Sequence, residues 1–141
     1  MSARDASTGS SFEQPTRVLL VDDNPEMLAT ARAALVPVCV IAGTATDGPS
    51  ALTAADTLRP DVIVLDISMP GMSGLEVAAA LRKQGSAAAI VFFTVHDDAQ
   101  IVDAAMRSGG TGYVLKRRLS TDLLEAVQAA RAGRSFISRK C

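Results

Sequence analysis

Short apolar runs alternate with longer segments of helical periodicity from Arg17 onward, and this alternation restricts the fold more than any other feature. Strand candidates lie at residues 18–21, 38–42, 62–65, 90–93 and 112–115. Strands that alternate with helices in this way are typical of βα units built around a parallel sheet. The run at 62–65 is continuously apolar, which suits a central strand buried on both faces. We therefore expect an α/β protein with five such units.

Some segments between the strands carry residue types that start or stop helices. Asn24 followed by Pro25 is a typical start, because asparagine caps a helix and proline is tolerated at its first position. Ser120 is a candidate cap for the last helix, and Gly133 is a candidate stop at its carboxyl end. These signals predict that the last helix lies between residues 120 and 133.

Polar side chains follow four of the predicted strands at the point where each strand ends. Asp22 and Asp23 follow the first strand, and Asp66 follows the third. Thr94 and Lys116 follow the fourth and fifth strands. In open α/β sheets, ligands bind outside the carboxyl ends of the strands. We therefore expect these side chains to meet at one edge of the sheet.

The residue types at this edge suit the binding and transfer of a phosphoryl group. Closely spaced carboxylates repel one another, so Asp22, Asp23 and Asp66 require a cation, and their oxygen atoms suit Mg²⁺, with Mn²⁺ as the alternative ion. The ammonium of Lys116 and the hydroxyl of Thr94 are suitable ligands for phosphoryl oxygens. A carboxylate can also attack phosphorus and form a labile aspartyl phosphate. Asp66 stands alone in the sequence, which makes it the candidate nucleophile.

Composition excludes several classes of protein. The chain has 141 residues, of which 48% are hydrophobic and 21% charged, as in an ordinary single-domain globular protein. A formal net charge of −1 argues against broad attraction to nucleic acid. No membrane span or signal peptide is recognisable, so we expect a cytoplasmic protein without membrane contact. Cys39 and Cys141 lack the spacing of a disulfide framework or zinc site, and Cys39 is predicted to lie in the core.

Four features together resemble a response-regulator receiver domain of the CheY-like kind. They are Val-Asp-Asp-Asn-Pro at 21–25, Leu-Asp-Ile-Ser-Met-Pro-Gly-Met-Ser-Gly-Leu-Glu at 65–76, Thr94, and Gly-Tyr-Val-Leu-Lys at 112–116. The resemblance implies a flavodoxin-like, doubly wound (βα)5 fold, with a five-stranded parallel sheet of order 2-1-3-4-5 and helices on both faces. It divides the chain into a disordered tail at 1–15, a receiver domain at 16–133, and the start of a linker or a tail at 134–141.

The resemblance also implies a role for each residue that matches the motifs. Asp66 would accept a phosphoryl group from a sensor histidine kinase. The metal ligands would be Asp22, Asp23, Asp66 and the backbone carbonyl of Ser68. Thr94 and Lys116 would bind the phosphoryl oxygens, and Thr94 would form a conformational switch with Tyr113, an aromatic residue on the fifth strand.

Three departures from the family pattern affect this site. Val95 follows the switch threonine where the family usually has a small residue, and we expect it to narrow access to the phosphorylation site. Arg117 follows Lys116 where the family often has a proline after a cis peptide bond, so a cis bond is in doubt here. Ser68 and His96 occupy positions that modulate phosphate lifetime in the family, and we hypothesise that they tune it in this chain.

Several other functions remain open from the sequence. A phosphohydrolase of the haloacid dehalogenase type would have a second aspartate where Ser68 stands, which argues against a turnover enzyme. A flavodoxin-like FMN carrier would need a phosphate-binding loop where Asp22 and Asp23 would repel the phosphate. A pseudo-receiver that binds proteins without phosphorylation is a further alternative.

The carboxyl-terminal segment bears on the output of the protein. Residues 119–140 resemble the junction of NarL/LuxR-type regulators, in which a helix-turn-helix domain binds DNA after the receiver. Such a domain is absent from this chain, so the resemblance favours a fragment of a transcriptional regulator over a stand-alone receiver. DNA contact would then occur only through the missing domain, and homodimerisation is a further option.

Overall fold

The computed structural model describes residues 14–138, so residues 1–13 of the predicted tail and residues 139–141 lie outside the described range. The strands are β1 (Arg17–Val21), β2 (Val40–Ala45), β3 (Val62–Asp66), β4 (Ala89–Thr94), β5 (Gly112–Leu115) and β6 (Phe136–Ile137). The helices are α1 (Pro25–Leu35), α2 (Gly48–Leu58), α3 (Gly74–Lys83), α4 (Ala99–Arg107) and α5 (Leu119–Arg131), with a 3₁₀ turn at Lys116–Arg118. Within the described range, no helix combines the length and apolarity needed to cross a membrane.

The strands form one parallel sheet of order β2-β1-β3-β4-β5-β6. This confirms the α/β class and the predicted order of the first five strands. The predicted strand number is wrong, because the sheet has six strands. β6 pairs with the otherwise open edge of β5, and its backbone donates from Phe136 N to Thr111 O over 3.3 Å. A two-residue strand is too short to produce a periodic signal in the sequence.

Helices cover both faces of the sheet and bury alternate strand residues. On β1, Val18 and Leu20 face the cluster formed with α1 and α5, whereas Leu19 and Val21 face the cluster formed with α2, α3 and α4. All residues of β3 are buried, as expected for a central strand. Cys39 is buried in the α1–α5 layer, which confirms the prediction of a core residue, and burial raises the pKa of its thiol.

The helix signals are only partly reliable. Asn24 caps α1 as predicted, and its side chain accepts from Glu26 N over 2.9 Å. The prediction for Ser120 is wrong, because the 3₁₀ turn leads directly into α5 at Leu119 and the N-cap residue, Arg118, makes no side-chain cap bond. The second strand runs over Val40–Ala45 instead of 38–42, because Val40 N donates to Thr16 O at the start of the β1 pairing.

Candidate functional site

The register of the sheet brings the predicted strand-end residues to one edge. Val21 pairs with Leu65, so that Asp22 and Asp66 are neighbours. Asp66 pairs with Phe93, which places Thr94 one residue beyond on β4. Thr94 in turn pairs with Leu115, directly before Lys116. The parallel pairing thus assembles a site from residues distributed over most of the chain.

Three carboxylates, those of Asp22, Asp23 and Asp66, offer oxygen atoms that all lie within 4.8 Å of one another. Asp22 and Asp66 are buried, with 2% and 3% of their surface exposed, whereas Asp23 is open to solvent. Two local turns orient the buried pair. Asn24 N donates to Asp22 Oδ1 over 2.9 Å, and Ser68 N donates to Asp66 Oδ1 over 3.2 Å. The remaining oxygen of each carboxylate faces Lys116.

Lys116 supplies the positive charge of the site. Its Nζ lies 2.7 Å from Asp22 Oδ2 and 3.5 Å from Asp66 Oδ2. The same ammonium lies 5.5 Å from the centre of the Phe93 ring, a cation–π distance. Sequence reasoning missed Phe93, although its position directly before Thr94 places it next to the site. Lys116 is therefore held between two carboxylates and an aromatic ring.

Asp66 is in an environment that resists ionisation. Burial, and then the charge of Asp22, raise the pKa of Asp66 from 3.8 to about 6. The Lys116 ammonium and the Ser68 backbone bond oppose this rise. The carboxylate is mostly ionised near neutral pH, which a nucleophile requires. Burial destabilises this charged form.

The carboxylate cluster fits a hard divalent cation. Asp22 Oδ2 is buried and, despite the nearby Lys116 ammonium, accepts no hydrogen bond of ordinary geometry. Lys116 provides one positive charge beside it, but the three carboxylates exceed that charge, and a divalent cation would balance the remainder. Mg²⁺ prefers carboxylate oxygens and keeps several waters, and the exposed side of Asp23 leaves room for them.

The backbone approaches itself closely just behind Asp66. Gly74 N donates to Ile67 O over 2.8 Å. A methyl group at Gly74 would overlap the Asp66 carbonyl oxygen and lie 2.8 Å from Ile67 Cα. α3 can begin so near to the end of β3 only because residue 74 has no side chain. The start of α3 is thereby held against the backbone of Asp66 and Ile67.

A hydrogen-bond network links Thr94, His96, Ser68 and Tyr113. Thr94 Oγ1 is buried and accepts from His96 N over 3.2 Å. The His96 carbonyl accepts from Tyr113 Oη over 2.6 Å, and His96 Nε2 lies 2.7 Å from Ser68 Oγ. Burial, and then the charges of Asp97 and Asp98, raise the pKa of Tyr113 to about 12. His96 therefore connects the two loops that flank Asp66 to the buried ring of Tyr113.

The structure shows the surroundings of Val95 and Arg117, two residues that differ from the family pattern. Val95 is 65% exposed on the loop after β4, and its effect on access to the acceptor stays a prediction. Every peptide bond of residues 14–138 is trans, including that between Lys116 and Arg117. Arg117 points to the loop before α4, where its Nη2 donates to Asp97 Oδ2 over 3.1 Å.

Several known proteins are similar to this chain in sequence and in fold. The chain is 38% identical over 131 residues to the nitrate/nitrite response regulator NarL of Escherichia coli, a match that covers 91% of this chain and 60% of that protein. The receiver domain of the response regulator NarL from Mycobacterium tuberculosis superposes with a TM-score of 0.82 at 34% identity, over 86% of this chain and 100% of that one. A LuxR-family response regulator from Aurantimonas sp. SI85-9A1 superposes with a TM-score of 0.84 at 31% identity, over 89% and 91% of the two chains.

A sequence profile provides a separate comparison. The response regulator receiver domain profile matches residues 18–128, which include every strand-end residue of the site. The family resemblance seen in the motifs is thus confirmed, and the chain belongs to the response regulator receiver domain family.

Proposed function

We propose that this protein is a phosphorylation-controlled signalling switch in which Asp66 accepts a phosphoryl group from a sensor histidine kinase. The observation that carries the proposal is the convergence of a buried Asp66 carboxylate, two further carboxylates and the Lys116 ammonium at one sheet edge. Family membership supports it. Within this arrangement Asp66 is the acceptor and the other groups balance charge.

The transfer is a displacement at phosphorus. An Asp66 carboxylate oxygen attacks the phosphorus, and the P–N bond to the kinase histidine breaks. The imidazole keeps the bonding electron pair and takes up a proton. The Lys116 ammonium neutralises charge on a phosphoryl oxygen, and the Thr94 hydroxyl donates a hydrogen bond to another.

The metal ligands of this proposal are Asp22, Asp23, Asp66 and the backbone carbonyl of Ser68. Bound there, Mg²⁺, or alternatively Mn²⁺, would supply positive charge for the phosphoryl oxygens and for the carboxylates. The fit rests on the oxygen donors and on the buried Oδ2 of Asp22, which accepts no hydrogen bond.

In this proposal the phosphate shifts the equilibrium between two conformations of the switch formed by Thr94 and Tyr113. Its hydrolysis is not the function of the protein. Thr94 and Tyr113 are connected through hydrogen bonds to the His96 backbone. A shift of Thr94 toward a phosphoryl oxygen would therefore change the hydrogen bond of the Tyr113 hydroxyl. The position two residues after Asp66 holds Ser68, which bonds to His96 and cannot act as a carboxylic acid. We therefore propose a switch and not a hydrolase.

The output proposed is transcription through a helix-turn-helix domain that is not in this chain. The support is the resemblance of residues 119–140 to the junction of NarL/LuxR-type regulators and the similarity to NarL, of which the chain spans 60%. Homodimerisation on activation belongs to the same proposal. Sequencing the gene beyond codon 141 tests whether such a domain follows.

Phosphorylation can be tested directly with a small phosphodonor. We expect incubation with acetyl phosphate and Mg²⁺ to add the mass of one phosphoryl group to the wild type and none to Asp66→Asn, measured by intact mass. Omission of Mg²⁺ should abolish the gain. If neither acetyl phosphate nor a cognate kinase produces a mass gain, the pseudo-receiver alternative replaces this proposal.

The lifetime of the phosphate depends, in this proposal, on the Ser68–His96 bond. That bond joins the two loops flanking Asp66, so breaking it should admit water more readily and speed the loss of phosphate. We expect His96→Ala and Ser68→Ala each to shorten the lifetime, and the double variant to add little, when decay is followed after donor removal. Decay at the wild-type rate in both single variants would contradict this role.

A further inference from the structure

Asp122 is a buried carboxylate that the proposed transfer does not use. It lies in the first turn of α5 and is 6% exposed. It accepts from Arg118 Nε over 2.9 Å, from Thr121 Oγ1 over 3.0 Å and from Ser138 Oγ over 2.6 Å. Burial alone would raise the pKa of Asp122, but the bonds from Ser138, Arg118 and Thr121 overcome burial and hold the pKa below its ordinary value. Asp122 is thus an ionised carboxylate that accepts three hydrogen bonds, although it takes no part in the proposed transfer.

Ser138 connects this carboxylate to β5. Its backbone N–H donates to Tyr113 O over 2.8 Å, next to the last residue pair of the β5–β6 ladder. Its hydroxyl accepts from Leu115 N over 3.1 Å while donating to Asp122. One hydroxyl can do both, since it has a single proton and two lone pairs. The side chain of Ser138 thus takes the place of a backbone acceptor where β6 ends.

These bonds enclose the residue that carries the positive charge of the acceptor site. Leu115, directly before Lys116, is held by Ser138, and Arg118, two residues after it, is held by Asp122. Both restraints act through the same oxygen, Asp122 Oδ2. The 3₁₀ turn at Lys116–Arg118 is therefore fastened at both ends to one carboxylate.

We infer that Asp122 and Ser138 are positioning residues that set the place of the Lys116 ammonium over the phosphoacceptor. The inference rests on the proposed function and extends it, because it makes Ser138, which lies beyond the last helix, a part of the phosphoryl site. The lysine side chain is long and flexible. The Lys116 ammonium therefore stays 2.7 Å from Asp22 Oδ2 and 3.5 Å from Asp66 Oδ2 only if the backbone of Lys116 is held in place. Small misplacements of a charge-stabilising group are costly.

The inference predicts different effects on the affinity for beryllofluoride and on the affinity for Mg²⁺. A general loss of stability would change both affinities together. Beryllofluoride mimics the phosphoryl group that Lys116 binds, whereas Mg²⁺ alone depends on the carboxylates. In the full chain, we expect Ser138→Ala and Asp122→Asn to weaken beryllofluoride binding at saturating Mg²⁺ roughly five- to tenfold, as for one hydrogen bond lost. The dissociation constant for Mg²⁺ alone should stay within about twofold of the wild type. Isothermal titration calorimetry measures both.

Two further variants serve as controls. Ser138→Thr keeps the hydroxyl and should restore beryllofluoride affinity, and Ser135→Ala removes an exposed hydroxyl from the same segment and should change nothing. The inference is overturned if folded Ser138→Ala binds beryllofluoride like the wild type, or if both affinities fall equally.

Amide hydrogen exchange gives a test that needs no ligand. If the wild type binds no beryllofluoride, the proposed function fails, yet the positioning role can still be measured. We expect exchange at residues 115–118 to be at least about tenfold faster in Ser138→Ala than in Ser138→Thr, because the Leu115 N–H loses its acceptor. Equal exchange rates in the two variants would overturn the inference.

Discussion

Opposing electrostatic effects act on Asp66, the proposed phosphoacceptor. Its burial and the neighbouring Asp22 disfavour the charged form, and Lys116 only partly offsets them. A carboxyl group whose pKa is raised in the folded state adds stability below its unfolded pKa, near 3.8, and this stability is lost as the pH rises through about 6. The site is therefore a local source of instability at neutral pH.

Replacing this carboxylate should stabilise the metal-free protein. At about pH 7.5 with chelator present, we expect Asp66→Asn to raise the free energy of unfolding by about 1 to 3 kcal/mol, because the amide carries no charge to desolvate. The gain should shrink as the pH falls from about 6 toward 3.8 and vanish well below 3.8, where the wild-type carboxyl is protonated in both states. Urea denaturation at several pH values measures this.

A surface acid provides the matched control. Asp103 forms an exposed pair with Arg107 on α4, and Asp103→Asn should change stability little at any of these pH values. An Asp66→Asn protein no more stable than the wild type near pH 7.5 would show that Lys116 already offsets the burial of the charge.

Among the elements, the junction of β3 and α3 is the most constrained. Ser73 caps α3 in a capping box with Glu76, and Gly74 begins the helix. Alanine at a helix position is ordinarily better than glycine by about 1 kcal/mol. Here the added methyl group would meet the backbone of Asp66 and Ile67, which cannot move without displacing the Asp66 carboxylate.

We therefore expect Gly74→Ala to destabilise the protein by at least about 2 kcal/mol, since overlap with backbone outweighs the gain in helix propensity. Gly85→Ala is the control, because Gly85 has φ +84 but open space around it and lies away from the acceptor. It should cost about 1 kcal/mol from backbone strain alone. Thermal or urea unfolding compares the two, and a neutral Gly74→Ala would contradict the steric reading.

Element boundaries show where sequence patterns are reliable. Asn24 caps α1 because a side chain bonding its own backbone nearby is a local event. Ser120 fails as a cap, because the 3₁₀ turn through Lys116–Arg118 sets the start of α5, and that turn is tied to Asp122. β6 exists only because β5 offers an open edge.

At the scale of the whole molecule, two apolar layers share one sheet. Neighbouring residues of the same strand, such as Leu19 and Leu20, belong to different layers. Because both layers pack on the same strands, unfolding of one layer would also disrupt the other. Tyr113 is the chain's single tyrosine, tryptophan is absent, and the ring is buried in the layer of α2, α3 and α4. Tyrosine fluorescence therefore reports one defined place in the core.

We expect unfolding by urea to be a single cooperative transition. The midpoint from Tyr113 fluorescence should agree with that from far-ultraviolet circular dichroism, which reports helices of both layers. A Tyr113 signal that changes at clearly lower urea would show that the α4 side opens separately, and would contradict a single cooperative unit.

The sequence by itself determined the α/β class, the order of the first five strands and the residues that meet at the sheet edge. The class and the residues at the edge follow from periodicity, from residue types at strand ends and from the rule that parallel strands share their carboxyl edge, whereas the strand order follows from the family that the motifs resemble. Only the tertiary structure decided the sixth strand, the Ser68–His96 bond and the cluster of Asp122 with Ser138. Those contacts join distant segments with no shared pattern, so they arise from packing and not from local preference.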